Sequence, residues 1–432
     1  LRKQLGRAGY LTLAFFLAIS PSMLYISRSF RNDIYIAVFS LAMVICVMKF
    51  IENQRSIYVY IAAIAAALSF AAAENTFITM FIFLSYALLY ILNEKYDLVS
   101  MAILILFGSR GEREEKIKAP QLQLLLGKNA RTIAISILVG IAIYSVLLSN
   151  FFIRLDNLLG IESSDPVMKL PAPIRGAASW ILKHGEGRIS GPFFYYVPFL
   201  FLYELPIVLF AIIGSYHYLK KKNTFMVFVV YWAAASLLIY SYIQEKLPWI
   251  VLHPLLPQCI IAAGYIGEKI ERSSTSKFSP YSSIFLLILM AFFIYSSLNL
   301  NYVNSYNPQE PLVYVQTSGD VKLIMNQIES ISNNTRYKSI AITTSDYWPF
   351  PWYLREYTDV RYGRNYYDAS FVISSELEAG EIEKELSGKG FVRQDFNLRI
   401  WHVFEPRDVT MDFLLFRKVA APNGALKLAF FY

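Results

Sequence analysis

The stretch from Ile34 to Phe50 reads IYIAVFSLAMVICVMKF, with one charged residue, Lys49, near its end. A helix rises about 1.5 Å per residue, and about 17–25 apolar residues cross the hydrocarbon of a bilayer. Lipid offers no partner to peptide groups, so a spanning run of this composition is a helix. Just ahead of it, Ser27-Arg28-Ser29-Phe30-Arg31-Asn32-Asp33 places two arginines and an aspartate in a tight turn. Before that turn lies another apolar run, Gly9 to about Ser27, preceded by Arg2, Lys3 and Arg7. It is too long for a signal-peptide core and reads as a true span. Further runs follow at 57–73, 77–93, 131–149, 197–219, 224–243, 249–266 and 281–299. The chain therefore reads as an α-helical polytopic membrane protein of about nine spans.

Composition agrees. Of the 432 residues 56% are hydrophobic and 17% charged, below the roughly 25% charged residues of soluble domains. The net charge of +8 comes from basic residues clustered beside apolar runs. Such clusters mark membrane orientation rather than a phosphate-tracking groove, so no nucleic-acid partner is expected. Cys46 and Cys259 both lie inside apolar runs, which excludes a disulfide framework and a thiolate zinc site. The absence of a Walker loop, a dinucleotide glycine turn and an HExxH helix removes the machinery of soluble nucleotide-driven or zinc-peptidase chemistry.

If the first run leaves the cytoplasm, the inner loops hold Lys49 and Arg55, the cluster from Arg110 to Arg131, Lys220 to Lys222, and Lys269, Arg272 and Lys277. That satisfies the positive-inside rule and puts the N-terminus in the cytoplasm. The segment 97–107 is apolar but short, and reads as a surface-lying or re-entrant helix. After about Asn299, Asn, Ser, Asp, Glu and Gly become common. The division is thus a transmembrane domain, 1–300, and an extracytoplasmic domain, 301–432. In the latter, 312–316, 340–344 and 371–374 read as strands, and 321–331 and 381–386 as helices, which predicts a small α/β domain with partly parallel strands. Asn333-Asn334-Thr335 is a glycosylation triplet on the same side.

An ionisable residue at a span end facing a cavity marks a candidate site, because it costs free energy unless paired. Arg28, Arg31 and Asp33 suit a phosphate and a metal or sugar hydroxyl; the alternative is a solvated turn with Asp33 favoured by the next helix dipole. Glu74-Asn75 puts a carboxylate at the same boundary, as a ligand group or as a helix cap. The long loop from Asn150 to Pro192 holds Trp180, His184 and Arg188, the histidine serving proton transfer or structure. Glu245-Lys246-Leu247-Pro248-Trp249, with His253-Pro254, lines either a cavity or an interfacial anchor. Pro254 is expected to kink its helix. Glu204, inside a span, needs a partner, and Lys246 is the expected one.

Taken together, Ser27-Arg28-x-x-Arg31-Asn32-Asp33-Ile34-Tyr35, Glu74-Asn75, Trp180 with His184, and Glu245-Lys246-x-Pro248-Trp249-x-x-x-His253-Pro254 resemble the GT-C membrane glycosyltransferases. The pattern is similar to archaeal flippase-activity-associated proteins, relatives of the dolichyl-phosphate-mannose protein O-mannosyltransferases, and the tail stretch Asp346 to Arg355 shares the likeness. The resemblance implies a polyprenyl-phosphate sugar donor, transfer on the external face, and a protein or glycan acceptor. Asp33, Glu245 and His184 are the candidate catalytic residues. Arg28, Arg31, Glu74, Trp180, Arg188, Lys246, Trp249 and His253 are the candidate substrate-binding ones. A divalent ion, Mg or Mn, would sit at Asp33. The family's principal carboxylate lies in a first external loop, which nothing here matches. With Leu1 at the start, the expectation is an upstream piece, an inactive relative, or a partner membrane subunit. The competing functions are a flippase or transporter subunit for lipid-linked glycans, which predicts inverted repeats and broken mid-membrane helices, and a scaffold.

Overall fold

The computed structural model describes residues 1–29, 31–96, 127–153, 155, 169–171, 174–176, 178–179, 182, 191–243, 245–272, 280–314, 316–332, 338–401 and 424–432. The surface helix expected at 97–107, most of the following basic cluster, the glycosylation triplet, and Trp180, His184 and Arg188 lie outside the described residues. The chain divides into two compact units, Leu1–Val303 and Asn304–Tyr432.

The first unit is helical: α1 (Arg2–Ile19), α2 (Pro21–Arg28), α3 (Asp33–Asn53), α4 (Ser56–Ala72), α5 (Thr76–Tyr96), α6 (Ala130–Leu148), α7 (Tyr196–Lys221), α8 (Thr224–Tyr242), a 3-10 turn (Pro248–Val251), α9 (Leu252–Arg272), α10 (Pro280–Leu298) and a π-helical turn (Asn299–Val303). Among the described residues six helices are long and apolar enough to cross a membrane, seven if α1 and α2 form one bent span. This corrects the expected nine. Two of the expected runs are left out of that count as shorter apolar helices: α4, of 17 residues, and the apolar part of α5, Thr76–Leu92.

The run from Gly9 to Ser27, expected as one span, is broken, with α1 and α2 bent by 52°. Pro21 has no N–H to continue α1, and Ser20 instead caps α2, its hydroxyl accepting from the Met23 amide at 3.2 Å. Helix α9 is the axis of the unit: 89% of its apolar window is buried, against 6% for α6, which presents its face outward. It packs on α1, α7, α8 and α3. A side chain at Gly267 would run into the Gly9 backbone, so α1 and α9 meet through small residues at main-chain distance.

The second unit holds a five-stranded sheet in the order β2-β1-β3-β5-β4. Strands β1 (Ile340–Ile342), β2 (Val360–Tyr362) and β3 (Phe371–Ser375) are parallel, while β5 (Gly424–Phe431) runs antiparallel to β3 and to β4 (Arg393–Trp401). Val321, Ile324 and Ile328 of α11 (Asp320–Ile331) fall at helical spacing and pack with Phe371, Ile373 and Phe430 on one face. After the short α12 (Phe350–Tyr353), α13 (Glu376–Leu386) covers the other face with Ala379, Ile382 and Leu386 against Val372 and Phe431. The expected strands at 340–344 and 371–374 and both expected helices are present within a few residues. Among the described residues of 312–316 no strand forms; their neighbour Thr317 makes an isolated bridge to Arg399.

Candidate functional site

Helix α3 begins at Asp33, where the Asn32 carbonyl accepts from the Tyr35 amide at 3.0 Å. The aspartate is 3% exposed, and a carboxylate that deeply buried must be paired. Its Oδ1 accepts from Asn75 Nδ2 at 3.2 Å and lies 3.2 Å from His253 Nε2. Its Oδ2 is 3.7 Å from Arg31 Nε. The Arg31 guanidinium in turn sits 3.7 Å over the Trp249 ring, a cation–π contact. The ring of Tyr240 stacks on His253 at 4.9 Å and fixes the plane of the imidazole.

Beyond Tyr240 the chain leaves α8. Lys246 is 1% exposed, and its ammonium donates to the carbonyls of Tyr240, at 3.1 Å, and Ser241. These are last-turn carbonyls of α8, where the helix dipole favours a cation. The ammonium also lies 5.7 Å from the centre of the Tyr196 ring. Burial pushes its pKa down to about 8. Gly191 is required here, since a Cβ at that position would come 2.9 Å from Lys246 Cγ. Pro248 opens the 3-10 turn, where a missing N–H costs nothing. Glu245 is buried in the same segment.

Asp33, Asn75, His253, Trp249 and Lys246 all come from helix ends or turns at one end of the bundle. Among the described residues two of their neighbours carry buried polar atoms with no hydrogen-bond partner: Arg31 Nε, which keeps its ion pair with Asp33, and the Tyr240 hydroxyl. Unmet polar atoms beside an acid–imidazole pair are what a site for a polar ligand looks like before the ligand arrives.

Other expected residues go elsewhere. Arg28 donates to the Asn301 carbonyl and lies 4.7 Å over the Tyr302 ring, tying α2 to the π-helical turn rather than to Asp33. Glu74 is exposed, and its neighbour Asn75 makes the contact with Asp33. The expected Glu204–Lys246 pair does not form. Glu204 Oε1 instead accepts from the Ser20 hydroxyl at 2.8 Å and the Ser22 amide at 2.9 Å. Pro254 lies in the first turn of α9, and the interior proline is Pro257, which has no N–H for the His253 carbonyl. Among the described residues no three His, Cys, Asp or Glu gather as a metal site, so at Asp33 a divalent ion would find His253 and no third such ligand.

Sequence reasoning singled out Glu74-Asn75 but took Glu74 as the ligand group where Asn75 makes the contact, and it missed Tyr240 and Gly191 as parts of the corner. Tyr240 lies near the end of an apolar run and carried no signal. The arrangement defines a helical membrane protein with a buried carboxylate–imidazole pair, Arg31 beside the carboxylate and Lys246 held on the backbone of Tyr240, whose ring stacks on the imidazole. The chain matches no protein-family model, no curated protein and no solved structure, so its chemistry rests on the residues themselves.

Proposed function

We propose that this corner transfers a sugar from a polyprenyl-phosphate donor to a protein or glycan acceptor on the external face of the cell membrane. The observation that carries the reading is the Asp33–His253 pair at 3.2 Å, with Arg31 beside the carboxylate and Lys246 on the backbone of Tyr240, whose ring stacks on His253. Asp33 takes the proton of the acceptor hydroxyl, and the acceptor oxygen then bonds to the anomeric carbon as the bond to phosphate oxygen breaks. The lipid phosphate leaves with the electron pair, and Arg31 and Lys246 stabilise its charge. His253 holds the carboxylate in place. Glu245 is a second carboxylate of the same segment, and a Mg or Mn ion at Asp33 would need phosphate oxygens to complete its shell. The positive-inside arrangement of the basic loops supports a cytoplasmic N-terminus and an extracytoplasmic sheet unit.

A flippase or transporter subunit for lipid-linked glycans is the second reading. The broken helices α1–α2 and α7 favour it, because transporters place sites at such breaks. The separating experiment reconstitutes the chain, alone and with co-purifying membrane subunits, with a polyprenyl-phosphate sugar. Release of polyprenyl phosphate that vanishes in Asp33→Asn supports transfer. Movement of intact lipid-linked sugar between leaflets without release supports transport. Transfer at full rate in Asp33→Asn removes the site assignment.

A further inference from the structure

A second polar cluster lies at the meeting of two broken helices. Helix α7 departs from helical geometry at Glu204 (φ −118°, ψ 24°), two residues before Pro206, which lacks the N–H its turn requires. Facing it is the Ser20–Pro21 break. Glu204 is fully buried, and Oε1 is satisfied by Ser20 and Ser22 at the start of α2, where the helix dipole favours negative charge. Among the described residues Glu204 Oε2 and Asn301 Oδ1 have no well-directed hydrogen-bond partner. The Ser22 hydroxyl lies within hydrogen-bonding reach of the Glu204 carboxyl, and Ser22 and Asn301 are both fully buried. Asn301 belongs to the same break, since its amide donates to the Pro21 carbonyl at 3.2 Å and the Ser297 carbonyl at 3.0 Å.

Among the described residues no lysine, arginine or histidine pairs with Glu204. The charged groups on the elements packed against α7 are committed elsewhere. Arg28 of α2 is held by the Asn301 carbonyl, and His253 of α9 by Asp33. Glu268 of α9 is held by His217, Lys221 and Arg272. Among the described residues Cys259 of α9 also lies within electrostatic reach of Glu204, and as a buried thiol it supplies no counter-charge. A carboxylate in an apolar bundle without a counter-charge is not a stable arrangement. What the break offers is a carboxylate oxygen, a hydroxyl and an amide oxygen, all hard donors.

We infer that the paired helix breaks form a buried site for a small monovalent cation, Na+ or a proton, with Glu204 as the anionic ligand and Ser22 and Asn301 as neutral oxygen ligands. The inference does not depend on the sugar-transfer reading, because the site shares no residue with the Asp33 corner. The cation neutralises Glu204 and fixes the bend between α1 and α2.

The test uses the full chain in lipid nanodiscs. Thermal unfolding is followed across Na+ concentrations at constant ionic strength with choline as the replacement, and separately across pH without Na+. Infrared spectra of the same samples read the Glu204 carboxyl, identified by its loss in Glu204→Gln. Saturable stabilisation by Na+, on the order of a few degrees and absent in Glu204→Gln, establishes a Na+ site. Asn301→Ala should then raise the half-saturating Na+ concentration. A protonated-carboxyl band at neutral pH, with stability following pH and not Na+, identifies the proton as occupant. If Glu204→Gln does not fold, Ser22→Ala and Asn301→Ala carry the comparison. An ionised Glu204 in a protein whose unfolding ignores both Na+ and pH overturns the inference.

Discussion

Two of the buried carboxylates of the helical unit, Asp33 and Glu204, are treated in opposite ways. Asp33, at a helix end, has an imidazole, a guanidinium and an amide within 3.7 Å. Glu204, at a helix break, has among the described residues the Ser20 and Ser22 hydroxyls and a backbone amide. The first is surrounded by groups that change charge or receive anions, and the second by groups that can only donate or accept. Burial alone therefore does not say what a carboxylate is for; the charge of its partners does. Asp33 suits proton exchange with a substrate, whereas Glu204 suits a cation that stays.

The largest effect expected from this contrast is at Asp33. Asp33→Asn should lower sugar transfer by about 10²–10⁴-fold, the usual worth of a positioned acid or base, with little change in unfolding temperature. Steady-state release of polyprenyl phosphate measures it, and a drop in stability that accounts for the lost activity would erase the distinction between the two carboxylates.

Next is Lys246, whose pKa of about 8 makes its charge sensitive to mild alkali. Transfer that relies on the ammonium should decline as pH rises through about 8, and Lys246→Arg should move the decline to higher pH. The stability effect has the opposite sign. The folded pKa lies below the ordinary 10.5, so the fold disfavours the charged form, and stability should rise as pH climbs from about 8 toward 10.5. A pH–rate profile unchanged by Lys246→Arg would detach Lys246 from the phosphate.

Glu204→Ala should reverse the pattern of Asp33→Asn. It leaves the Ser22 amide buried without a partner, a loss of about 1–3 kcal/mol in denaturant unfolding, while activity of the folded fraction persists. The smallest effect is at Arg31, where Arg31→Lys keeps the charge but loses the flat stacking on Trp249. A weakening of about 0.5–1 kcal/mol, read as a few-fold rise in donor KM with kcat held, is expected.

The apolar runs and the Asp33–His253 corner were legible because charge inside a hydrophobic context is rare enough to stand out. Arg31, Asp33, Lys246, Trp249 and His253 could be picked from the sequence and do come together. The partner of Glu204 could not be read. Ser20 and Ser22 lie more than 180 positions away in the chain and look like ordinary small residues of an apolar run. For the same reason the Ser20 break was invisible until Pro21 was seen to start a new helix. In the sheet unit β1 and β3 were read from short apolar runs, but β4 carries Arg393, Asp395 and Arg399 among its apolar positions and disguises itself as loop. Pairing with β5 makes it a strand, and pairing is not a local property.

The close approach of Gly9 to Gly267 carries a consequence for how the molecule is made. At about 5–20 residues per second, the ribosome needs on the order of ten seconds or more to reach Gly267 after Gly9 has emerged. Throughout that interval the small-residue stripe of the first helix sits in the bilayer without its mate. Insertion and assembly are therefore separate events in time, and a crowded translocon or a waiting chaperone has a defined surface to guard.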